Sequence, residues 1–133
     1  MSSEITVPPV LSLPGGLVGL PDVHALETIP IAGGQFVELL DPEDPSLGWL
    51  AASAEDVRPG MSATLRATGR MGADDVLLVL LASHGDPAVV TANLAGPLVV
   101  APDGAAHQLV LEDPSFELRA RLGCLAPAPL EKP

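Results

Sequence analysis

Glycine and proline punctuate this chain so closely, 13 and 15 times in 133 residues, that a long helix has no uninterrupted stretch in which to form. Between the breakers lie short runs of apolar or period-two character at residues 4–7, 10–13, 25–31, 35–40, 47–51, 62–68, 76–83, 98–101, 108–112 and 116–122. Runs of this length bounded by turn residues read as strands. The alternation is cleanest in 116–122, where Phe116, Leu118, Ala120 and Leu122 point one way and Glu117, Arg119 and Arg121 the other. A half-buried antiparallel strand requires that pattern. Residues 62–68 repeat it, with Ala63, Leu65 and Ala67 inward. Residues 76–83 do not alternate, so they belong in the middle of the sheet with both faces covered. Pro102-Asp103-Gly104 marks a hairpin between 98–101 and 108–112, since proline presets one turn dihedral and glycine accepts a positive one. Asp41-Pro42-Glu43-Asp44-Pro45 and Glu112-Asp113-Pro114 read as loops, and Ala105-Ala106 and residues 51–55 leave room for a helical turn or two. The expected fold is all-β, a single-domain small antiparallel β-barrel or sandwich over residues 1–125, with a Pro-rich flexible tail at 126–133.

The core of such a domain has to be aliphatic. Hydrophobic residues make up 47% of the chain, enough to offset chain entropy, yet there are two Phe, one Trp and no Tyr. Seventeen acidic side chains against six basic ones give a formal charge of −11. A polyanion with few flat rings lacks both the cations that neutralise phosphates and the platforms on which bases stack, so direct nucleic-acid binding is not expected. Cys124 is the single cysteine and cannot form an internal disulfide; with no basic, then apolar, opening segment, the expected compartment is the cytoplasm. The longest aliphatic run, at 76–82, is far short of the roughly 18 residues of a membrane-crossing helix, so no membrane association is expected.

Residues that could carry chemistry are scattered. Ser83-His84-Gly85-Asp86 holds the residue types of a hydrolytic triad, but triad members converge from separate elements, and adjacency reads as a polar turn closing the central strand. His24, His84 and His107 are far apart and lack metal-ligand spacing, so no metal or other cofactor is expected. The acid pairs Glu43/Asp44, Glu55/Asp56, Asp74/Asp75 and Glu112/Asp113 sit beside Pro, Gly or turns and read as solvated loop charge. Pro14-Gly15-Gly16-Leu17-Val18-Gly19-Leu20-Pro21 lacks the lysine and the spacing of a phosphate-binding loop. It reads either as an exposed apolar partner surface or as a plug over the sheet. Glu38, Asp41, Glu43, Asp44, Glu55 and Asp56 fall in a stretch without lysine or arginine, which creates a local negative field that either steers a basic protein or simply keeps the chain soluble.

Several of these segments, taken in order, carry a family pattern. Leu11-Ser12-Leu13-Pro14-Gly15-Gly16-Leu17-Val18-Gly19-Leu20-Pro21 resembles the opening signature of the flagellar assembly factor FliW family, a Pro-x-Gly-Leu-x-Gly-aromatic run after an initial strand. Thr91-Ala92-Asn93-Leu94-Ala95-Gly96-Pro97-Leu98-Val99-Val100 resembles that family's Thr-Ala-Asn-Leu-x-Ala-Pro-hydrophobic run more closely still. Asp44-Pro45-Ser46-Leu47-Gly48-Trp49 is similar to its Asp-Pro-x-Leu-Ala-Phe element, and Gln108-Leu109-Val110-Leu111 with Phe116-Glu117-Leu118-Arg119 to its closing strands. The chain departs from the pattern where Leu20 replaces an aromatic, Gly96 an alanine and Ala101 an asparagine, and where residues 51–60 lack the family's Pro, Asp and Tyr segment. The resemblance implies a non-enzymatic β-barrel that binds the translational regulator CsrA, relieves its repression of flagellin mRNA, and binds flagellin in a partner switch. A flagellin-binding chaperone without CsrA antagonism is the alternative, and a small hydrolase or sugar-binding barrel a weaker one. The residues expected to bind a partner are Gly15, Gly16, Leu17, Gly19, Leu20 and Pro21 in the glycine loop and Thr91, Asn93, Leu94 and Pro97 in the second family-like run, with Glu38, Asp41, Glu43 and Asp44 added by the charge of the acidic stretch.

Overall fold

A computed structural model describes residues 4–44, 46–84 and 89–121, with the side chain of His84 excepted. The first half of the chain is a meander. Strands β1 (Val10–Ser12), β2 (Ala25–Ile31), β3 (Phe36–Leu40) and β4 (Gly48–Ser53) pair antiparallel in sequence order. Two short helices, α1 (Ala54–Val57) and α2 (Met61–Ala67), then lead to the long strand β5 (Val76–His84). One edge of β5 pairs with β4, while its other edge pairs first with β7 (Leu98–Val100) and then with β6 (Val89–Ala92). The sheet therefore forks at β5: one arm continues from β7 to β8 (Ala106–Gln108), the other from β6 to β9 (Ala120–Arg121).

The missing alternation of β5 now has its physical reason, because each face of the strand belongs to a different core. Leu77 and Val79 pack with Ala52, Met61, Leu65, Leu94 and Val99, beneath the two helices. Leu78 packs on the opposite side with Leu11, Leu26, Val37, Leu39, Leu98 and Val100. That second core is the inside of a curled sheet whose two ends approach at β1 and β8, where Ser12 bridges Ala105 and its N–H donates to the Gly104 carbonyl at 2.8 Å. One bridge is not a strand ladder, so the sheet curls like a barrel without closing into one.

The expected fold class holds, as a mostly antiparallel single-domain β-sheet protein with few helices. Residues 25–31 form β2 with the expected bounds, and the Pro102-Asp103-Gly104 hairpin joins β7 to β8 with Gly104 at φ +95°. Four strand expectations need correction. Residues 62–68 are helical: Met61, Ser62 and Leu65 are buried while Ala63 and Ala67 are exposed, the spacing of one helix face. Alanine is the best helix former, so alternating alanines carried little strand signal. The helix start is held by Glu55, whose carboxylate accepts the N–H of Gly60 at 2.9 Å and of Ser62 at 2.7 Å. Partial burial pushes that carboxyl up, but the hydrogen bonds from Ser62 and Gly60, with help from Arg66, outweigh it and hold Glu55 below the ordinary glutamate value. Glu55 is thus a cap rather than loose loop charge.

In the stretch 116–122, ladder pairing is confined to Ala120–Arg121 among the described residues, and Leu118 is 68% exposed rather than inward. Here the chain wraps over α1 instead: Arg58 donates to the Ser115 carbonyl and lies 5.2 Å from the centre of the Phe116 ring. Residues 4–7 are not a strand either; Ile5 is buried and donates its N–H to Gly34, but the following Pro8-Pro9 has no N–H to continue a ladder. Strand β8 starts and ends earlier than 108–112, and beyond it Leu109 and Leu111 donate to Pro97 and Ala95. The pairing of β6 was not expected from sequence at all. Leu122 and the tail at 126–133 lie outside the described residues, as do Gly85 and Asp86 of the Ser-His-Gly-Asp turn.

Candidate partner-binding site

Gly16 and Gly19 both take positive φ, +70° and +80°, and bend the glycine loop into a miniature hairpin in which Leu17 and Leu20 exchange N–H···O bonds at 3.1 and 2.8 Å. The loop is a plug and a surface at once. Leu13, Leu17 and Val23 turn into the curled-sheet core, whereas Val18 and Leu20 face outward at 63% and 37% exposure. Gly15 is exposed and Gly16 buried.

Opposite the hairpin stands the acidic loop between β3 and β4. Asp41 accepts the N–H of Glu43 at 2.9 Å, and Asp44 accepts both the N–H and hydroxyl of Ser46, so the loop is shaped by its own carboxylates. Between the two segments lies an open depression of about 430 Å³, with Gly19, Leu20, Pro21, Asp22 and Val23 on one wall and Asp41, Glu43, Asp44 and Leu47 on the other. Four carboxylates thus surround a partly apolar surface that carries no lysine or arginine. An acid rim over apolar walls is suited to a basic, partly apolar polypeptide.

The structure divides the sequence-expected residues. It brings Gly19, Leu20 and Pro21 together with Asp41, Glu43 and Asp44. Glu38 stands apart, on the outward face of β3 opposite Leu50 of β4 and Ile29 of β2. Thr91, Leu94 and Pro97 are buried. Asn93 is half-buried, and its side-chain oxygen accepts the N–H groups of Ala95 at 3.0 Å and Gly96 at 2.9 Å, holding the turn before β7. It also lines a separate groove of about 360 Å³ with Trp49 and Leu118. Sequence reasoning missed Asp22, which joins the acidic group only through the fold, and it missed the role of Gln108.

Gln108 ties the two family-like segments together. Its side-chain oxygen accepts the Val18 N–H at 2.8 Å and its amide nitrogen donates to the Gly96 carbonyl at 2.8 Å. Replacing Gln108 with alanine is expected to cost about 1–2 kcal/mol, because the Gly96 carbonyl is left buried without this donor. Faster hydrogen exchange at the Val18 amide, with β2 and β3 amides unchanged relative to one another, is the expected local signature.

Among the described residues no cluster of three or more His, Cys, Asp and Glu is placed to hold a metal ion, and no helix is long and apolar enough to cross a membrane. His24 and His107 are exposed.

Comparison with known proteins places these features in a wider pattern. The family described as FliW protein matches residues 2–122. A flagellar assembly factor FliW from Geotalea uraniireducens (strain Rf4) is 26% identical over 117 residues, covering 83% of this chain and 72% of that protein. A crystal structure of the flagellar assembly factor FliW superposes with a TM-score of 0.67 at 21% identity, over 90% of this chain and 89% of the other, and supports the fold.

Proposed function

From the premise that this chain belongs to the FliW family of flagellar assembly factors, we propose that it binds a CsrA-like translational regulator, relieves repression of flagellin mRNA, and is recaptured by free flagellin. It acts without catalysis, in the cytoplasm, by holding other polypeptides. The observation that carries this reading is the depression in which the exposed hairpin tip and four carboxylates converge. A basic RNA-binding regulator is electrostatically matched to that surface. Once docked, a body of net charge −11 raises the potential that RNA phosphates meet, so antagonism does not require covering the RNA site itself. The effect weakens as salt screens it.

The test measures displacement of flagellin leader RNA from a purified CsrA-like regulator at rising salt, with the wild-type chain and with an Asp41→Asn, Glu43→Gln, Asp44→Asn variant. The asparagines keep the oxygen that shapes the acidic loop. Displacement is expected to drop about tenfold between low and high salt and to drop similarly in the variant at low salt. Displacement indifferent to salt removes the electrostatic mechanism; failure to bind either regulator or flagellin removes the whole reading. A second reading, a flagellin chaperone without antagonism of the regulator, draws on residues 51–60, which form the end of β4 and helix α1 and lack the family's Pro, Asp and Tyr segment. Separate titrations against the two partners distinguish them.

A further inference from the structure

The depression opens beside the curled-sheet core, but the outward face of the same strands carries an unclaimed surface. Cross-strand partners share a face, and the register aligns Val10 with Glu27 and Leu40, Ile29 with Glu38 and Leu50, and Ile31 with Phe36. The helices cover the Phe36 and Ala52 end of this face. Beyond them Val10, Ile29, Ile31 and Leu50 remain 52%, 41%, 37% and 36% exposed, and Val90, on the same side of β6, 40%. Among the described residues, five of the ten exposed large hydrophobic side chains therefore stand on one side of the sheet. The charged side chains on these rungs are Glu27 and Glu38, diagonal neighbours across β2 and β3. Neither carboxylate has a hydrogen-bonding or ionic partner among the described residues.

We propose that this face docks a polypeptide presenting an apolar strip flanked by lysine or arginine. The apolar stripe supplies buried area, and Glu27 and Glu38 demand cations wherever that area is desolvated. A second copy of this chain is a poor occupant, because a self-complementary contact would press these carboxylates against like charges or apolar side chains between two bodies of −11 each. The proposal goes beyond the function proposed above, since it concerns the outward face of the strands rather than the loops that line the depression. The two surfaces are separable by mutation.

The full-length chain is titrated with two labelled helical peptides of equal lysine content, one with leucines along one face and one with serines in their place. The leucine peptide is expected to bind at least about tenfold tighter, the effect of burying one or two aliphatic side chains. Ile29→Thr with Leu50→Thr is expected to abolish that difference while melting close to wild type. Glu38→Lys is expected to weaken the leucine peptide about tenfold, and Asp41→Asn with Asp44→Asn to leave the difference intact. Equal affinity for the two peptides overturns the proposal, as does a difference that survives in a folded Ile29→Thr, Leu50→Thr variant. Self-association in sedimentation that this variant abolishes assigns the face to a second copy, and a difference that appears only after removal of residues 122–133 assigns it to the end of the chain itself; either also overturns the proposal.

Discussion

Truncating Leu78 to alanine is expected to destabilise the protein by about 3–4 kcal/mol, lowering Tm by roughly 10 °C. Leu78 is fully buried, lies opposite Ser53 on one side and Leu98 on the other, and fills the middle of the curled-sheet core. The surrounding leucines and valines are held by strand pairing and cannot collapse into the space, so the loss of transfer energy is joined by the cost of a cavity. Leu81, three residues along the same strand and half-exposed, provides the internal control. Its alanine variant is expected to lose only about 1 kcal/mol. Urea unfolding of the three proteins reads the result, and equal losses at the two positions would contradict the placement of the core.

The second large effect belongs to the glycine hairpin. Gly16→Ala is expected to cost about 3 kcal/mol or to detach the hairpin from the core, because two penalties coincide. The backbone at φ +70° disfavours any side chain, and an added Cβ would lie 2.5 Å from the Pro21 carbonyl oxygen and 2.7 Å from its Cα. Backbone atoms cannot swing aside as the end of a flexible side chain can. Gly19 isolates the first penalty, since it has φ +80° but open space around its would-be Cβ. Gly19→Ala is expected to lose about 1 kcal/mol. Thermal melts of the pair, with Val18 hydrogen exchange to follow the hairpin, check both values. The same contrast bears on partner binding: Gly16→Ala should disorganise the wall of the depression formed by Leu20 and Pro21, whereas Gly19→Ala should leave that wall in place.

What could be read from sequence was what local chemistry decides. Residues 25–31 announced themselves as a strand through a short apolar run between breakers, and Pro102-Asp103-Gly104 specified its hairpin by dihedral preference alone. The unbroken apolar character of β5 correctly implied coverage on both faces over Leu77–Val79, although not that the two faces serve separate cores nor that Ala82 and Ser83 at the far end are exposed. Residues 62–68 misled because alanine alternates without cost in either periodicity, while the decisive interaction, the Glu55 carboxylate on the N–H groups of Gly60 and Ser62, links residues five and seven positions apart through a turn. Residues 116–122 misled for a different reason. Their alternation is real, but Phe116 is engaged by Arg58 and the Glu117 carbonyl by the Leu94 N–H, so tertiary contacts take the segment away from a ladder. At the site, the acids of the loop and the glycine hairpin were each visible, whereas their convergence, and the recruitment of Asp22 to it, depends on how β2 and β3 are threaded. Gln108 stood out only as part of a family-like strand; a side chain that holds two distant loops at once leaves no local mark.

The seam between β1 and β8 has a consequence for how molecules of this kind coexist at high concentration. Sheet margins are templates for unwanted lateral growth. Here both margins are three-residue strands, one preceded by Pro8-Pro9 and the other by the Pro102 turn, and proline offers an arriving chain no donor. The remaining margin, β9, is two residues long. Among the described residues these margins offer a foreign strand only short rows of backbone groups to extend, so the shortness and composition of its borders guard an oily, curled sheet against fibrous stacking.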